Sequence, residues 1–154
     1  MRFVFKLEPV LRMRLRDEED AKRRLGAAVS KEQLENERLH SLEDELSREI
    51  DAQTAARAER IWAQGQTLFL EWSQGQKLRI GSQKSACAQA ADATRKARQD
   101  VVEARRAVQV LEKLKERRHV QWKLDQSRKE QVFASDVAAQ RWMRQRQNPE
   151  AVGS

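Results

Sequence analysis

Apolar residues recur along most of this chain at helical spacing. In the first half a seven-residue spacing links Leu11, Leu25, Leu39 and Leu46, with Ala21, Ala28 and Leu42 at intervening seam positions. In the second half Cys87, Ala90, Thr94, Ala97, Val101, Ala104, Val108 and Leu111 follow an unbroken three-and-four alternation. A stripe this narrow suits a helix that packs on one other helix, because a globular helix carries a wider apolar face. Farther on the stripe is mixed: Lys115, Arg118 and Asp125 interrupt Trp122, Val132, Ala139 and Met143, which loosens a helix pair.

The breaks in this pattern set the expected elements. Pro9 suits the first turn of a helix, where its missing N–H costs nothing, and Phe3, Phe5 and Leu7 lie before it. Asn148-Pro149 stops the second helix, since the residue before a proline is pushed out of the α region. Between the arms stand Gly65, Gly75 and Gly81, each weakening a helix by about 1 kcal/mol relative to Ala. A reversal near Gly75 would set Glu32 and Glu35 opposite Arg118 and Lys115 and residue 11 opposite about 139. One near Gly65 would set residue 11 opposite about 117 and leave the second helix protruding beyond the start of the first. The expected fold is all-α, a long two-helix antiparallel coiled-coil hairpin forming a single domain over 1–154. At ~1.5 Å per residue its arm would reach on the order of 80 Å.

Composition narrows the picture further. The chain is 36% charged and 39% hydrophobic with 5 Gly, 2 Pro and no Tyr, which favours long helices over a wide globular core. Recurring leucines, valines and alanines at helical spacing argue against disorder. The net charge of +7 is uneven: residues 1–64 hold 13 Lys and Arg against 14 Asp and Glu, so the excess falls in the second half. Such a basic helix suits an acidic partner, nucleic acid, or plain solvation. No run approaches ~18 apolar residues and Met1–Val10 has no apolar signal core, so neither a membrane span nor a secretory leader is expected. A single cysteine, Cys87, fits a reducing compartment and the cytoplasm.

Candidate chemistry is sparse. The glycines are scattered without a phosphate-loop pattern, and His40 and His119 lack metal-ligand spacing, so both are expected to face solvent. Neither catalysis, a cofactor, a metal nor a small-molecule substrate is expected, because a narrow hairpin offers no water-poor pocket in which to shift carboxylate pKa values. Cys87 on the seam reads as a small hydrophobe. Trp122 falls on the seam, whereas Trp62, Trp72 and Trp142 are candidates either for protein-binding anchors or for contacts around the turn and the protruding end.

Two blocks carry a resemblance. The opening Phe3-Val4-Phe5-Lys6-Leu7-Glu8-Pro9-Val10-Leu11, followed by Arg14, Glu18, Ala21 and Leu25, is similar to the start of flagellar FliJ proteins. So is Arg98, Glu103-Ala104-Arg105 and Leu111-Glu112-Lys113-Leu114-Lys115-Glu116. Arg128-Lys129-Glu130-Gln131 with Asp136 and Ala138 is a weaker match, Val137 standing where the family tends to show Glu. The resemblance implies a non-enzymatic stalk of flagellar protein export. Its partners would be the hexameric export ATPase, the export gate protein and export chaperones, and it would work in the cytoplasm at the inner face of the membrane. It also implies a gate-binding patch of an aromatic and residues four, seven and eleven positions on: here Trp72, Gln76, Arg79 and Gln83, with Gln76 where an apolar residue is usual. That alignment favours the Gly65 reversal, with helices at about 9–62 and 67–146, a turn near 63–66 and a frayed tail over 147–154. A stalk of a virulence-type secretion system and a basic coiled-coil nucleic-acid binder are the alternatives. The flagellar opening motif speaks against the first and the lack of a recognised binding motif against the second.

Overall fold

The computed structural model describes residues 1–59 and 65–148. It contains two helices, α1 (Glu8–Ala58) and α2 (Gln66–Gln147), and no strand among the described residues. The chain is all-α, with its two long helices packed against each other. α1 opens one residue before Pro9, where Glu8 N–H donates to Phe5 O at 3.0 Å and Leu11 N–H to Leu7 O at 2.9 Å. The first bond satisfies one of the orphan donors of the helix start, and the second is the first regular turn of α1. The reversal expected at 63–66 and the tail at 147–154 fall largely on residues 60–64 and 149–154, outside the described residues, as does Trp62. Gly75 sits inside α2, which excludes a reversal there.

The chain forms two compact units, Met1–Met13 with 107–154 and Arg14–Arg106. In the first unit Phe5, Leu11 and Val108 are buried, with Phe3, Leu7, Leu111 and Leu114 packed around them. Lys115 Nζ reaches Glu8 Oε2 at 2.8 Å, while Phe3 lies against His119 and Trp122 at ring distances of 4.9 and 5.9 Å. Rising numbers before and in α1 thus meet falling numbers in α2, so the pairing is antiparallel. Leu11 shares its core with Val108, about nine residues earlier on α2 than the expected neighbour at 117. α1 already ends at Ala58 and α2 begins at Gln66, which accounts for about four residues of that shift.

In the second unit the same direction holds, with Glu18 against Arg105, Glu35 against Gln83 and Cys87, and Glu45 against Gln76. Ala21, Ala90 and Ala97 are buried on this seam, where small side chains let the backbones approach. Ile80 is buried too, but so are Glu18, Glu35, Ser73, Gln76 and Thr94. No described helix is long and apolar enough to cross a membrane.

Candidate functional site

The three-and-four spacing that marks Cys87–Leu111 also runs backwards, through Gln83, Ile80, Gln76 and Ser73. Those residues turn toward α1. Gln76 is 2% exposed, and its Nε2 donates to Leu42 O at 3.3 Å and Glu45 Oε2 at 3.2 Å. Gln83 Nε2 donates to Glu35 O at 2.9 Å and Glu35 Oε2 at 2.6 Å, and Cys87 Sγ lies 3.3 Å from the same carbonyl. Each glutamine therefore spends its amide on the neighbouring helix. The Glu35 carboxylate also takes Arg38 Nη1 at 3.1 Å, and Glu18 is held by Arg105 at 3.5 Å and Lys22 at 3.4 Å. A carboxylate this well covered needs such partners, since burying an unpaired charge costs several kcal/mol. Thr94 Oγ1 is the exception among described buried side chains, with no partner.

Of the four residues on the expected partner patch, only Arg79 is exposed. Trp72 is half-buried and stacks on Phe69 at 6.3 Å between ring centroids, and Arg79 is exposed beside an open depression lined by Leu42, Leu78, Ser82, Gln83 and Ala86. Gln76 and Gln83 lie on the seam between them. The four thus share one stripe of α2, with Gln76 and Gln83 bonded to α1, Trp72 half-buried and Arg79 exposed.

Cys87 is half-buried and free, on the seam as expected. His40 is exposed, 3.9 Å from Asp44. His119, expected to face solvent, is half-buried: it stacks on Trp122 at 6.1 Å and is covered by Phe3. The segment before α1 supplies that cover, and its destination could not be read without the register. No metal-binding group of His, Cys, Asp and Glu occurs among the described residues. Beyond residue 126 α2 is exposed up to 148 apart from half-buried Val137, and Val132, Phe133, Trp142 and Met143 stand in solvent.

The two helices pack antiparallel along a seam, and the depressions beside it are open to solvent. The family model of the flagellar FliJ protein matches residues 3–147. With nearly its whole length matched, the chain belongs to the FliJ family, a family of non-enzymatic components of flagellar protein export. No curated protein and no solved structure matches it.

Proposed function

We propose that this chain is a stalk-like partner of the hexameric export ATPase and of the export gate, and an escort for export chaperones. In this reading it is not an enzyme and works in the cytoplasm at the inner face of the membrane. The observation that carries the reading is the match over residues 3–147 on a chain whose seam pairs two long helices antiparallel. A stalk needs a long element stiffened by a second helix, and side chains along its flanks that remain free to dock. Trp72 and Arg79 meet that need for the gate. An indole removes a large apolar area from water at little rotamer cost, and tryptophan and arginine are the commonest hot-spot residues.

Trp72→Ala should weaken gate binding by ~2 kcal/mol or more and reduce swarming, while circular dichroism shows unchanged helix content. Gln76→Ala should instead lower the melting temperature, because its amide bonds bridge the helices. A Trp72→Ala chain that melts early, or that binds the gate as before, would make Trp72 a packing residue.

A further inference from the structure

The seam spacing continues along α2 past the last residue that the N-terminal segment covers. After Trp122 and Asp125 it passes through Lys129, Val132, Asp136, Ala139, Met143 and Arg146, all of them exposed. Phe133 and Trp142 flank this stripe on either side, 71% and 55% exposed. In coiled-coil terms these are core positions and their immediate neighbours, whereas the outward positions carry Glu130, Gln131, Arg141, Arg144 and Gln145 together with Ala134, Val137 and Ala138. An apolar face of this kind on a polar helix is a seam whose second helix is not supplied by the described residues.

The charges on the stripe decide what fits. Read in order, the seam is basic, apolar, acidic, small, apolar, basic. A second copy laid antiparallel would match Val132 with Met143 and Asp136 with Ala139, which is geometrically sound. It would also set Lys129 against Arg146 at both ends, within a segment 128–146 that holds five Lys and Arg against two Asp and Glu. Like charges facing one another select against that pairing. A helix with the same apolar spacing but with Asp or Glu opposite Lys129 and Arg146 turns both end contacts from repulsive to attractive. The Arg146 guanidinium already lies 4.5 Å over the Trp142 ring, which holds the cation at the edge of the apolar face.

We propose that residues 128–146 of α2 form a docking strip for an acidic amphipathic helix of a partner protein, which completes the seam there. This surface is separate from the Trp72 stripe and does not depend on the flagellar reading. Its recognition element would be an apolar two-in-seven stripe closed at both ends by carboxylates.

The test is a titration of the full chain with two synthetic helical peptides by fluorescence anisotropy. Both carry leucines at the seam positions; one places Glu, the other Lys, at the positions facing Lys129 and Arg146. The acidic peptide should bind at least about tenfold more tightly and lose affinity as salt rises. In a Val132→Asp/Met143→Asp chain its affinity should fall at least about tenfold with no change in the melting curve, since both side chains are exposed. Trp72→Ala should leave this binding untouched, which separates failure here from failure of the gate assignment. Equal affinity for the two peptides, no binding of the acidic one, or indifference to the double substitution would overturn the proposal. So would a chain that self-associates in sedimentation through this strip and becomes monomeric on the double substitution.

Discussion

The two compact units solve the problem of joining two helices with opposite chemistry. In the first, Phe5, Leu11 and Val108 form a small apolar core closed by Phe3, Leu7, Leu111 and Leu114. In the second, alanines bring the helices close and the remaining buried seam positions include Glu18, Glu35, Gln76 and Thr94. Apolar burial supplies roughly 25 cal/mol per Å² but has no direction, so it holds helices together without choosing an alignment. Hydrogen bonds from Gln76 and Gln83 do choose, because sliding α1 by one heptad would leave the alanines content but take from buried Gln76 its acceptors on α1 and from Glu35 its Gln83 donor. One region anchors; the other sets the register.

The largest effect expected from this contrast comes from Val108→Asp. Val108 is 0% exposed in an apolar setting, so an unpaired carboxylate there should cost about 3–5 kcal/mol or expel its own backbone into solvent. A thermal melt together with early proteolysis near residue 5 would record it. If Glu35→Ala proved more damaging than Val108→Asp, the roles of the two regions would be reversed.

Replacing the polar pair by Glu35→Leu/Gln83→Leu should act in another way. Stability should hold or rise by about 1–4 kcal/mol, as it does when buried polar partners give way to packed apolar groups. Register should suffer, and the distance distribution between labels on the two helices should broaden. A narrow, unchanged distribution would show that packing alone sets the alignment.

Gly75→Ala sharpens the comparison at the smallest scale. A methyl group on Gly75 meets nothing within 4 Å, and the residue is interior to α2. The substitution should therefore raise stability by about 0.5–1 kcal/mol in denaturant unfolding. A loss would mean that the chain bends at this glycine.

These contrasts also explain how far the sequence could be read. The seam from Cys87 to Leu111 is legible because its alanines and valines stand out from charged neighbours. Its continuation through Gln83, Gln76 and Ser73 is silent in hydropathy, although the same spacing, followed backwards, reaches them. Gln76 and Gln83 enter the expected partner patch only through the family resemblance, and their amides are bound to α1. Phe3, Phe5 and Leu7 announce themselves as an apolar group before the helix, but their partners His119, Trp122 and Val108 follow only once the register is known. Charge pairing could not supply that register, since solvent-accessible pairs contribute only about 0–1 kcal/mol, and even the half-buried Glu8 and Lys115 could be matched only once the register was known.

The antiparallel register set by the polar seam is most directly tested by electron-electron distance measurement between nitroxide labels at the exposed positions Asn36 and Ser85, in a Cys87→Ala background. With Glu35 facing Gln83 and Cys87, and helix axes ~10 Å apart, the labels should lie within about 20 Å in one narrow distribution. A reversal at Gly75 would put residue 36 opposite about 114, some 29 residues along α2 from Ser85, and at ~1.5 Å per residue the distance would be about 44 Å. A distribution centred there would contradict the account.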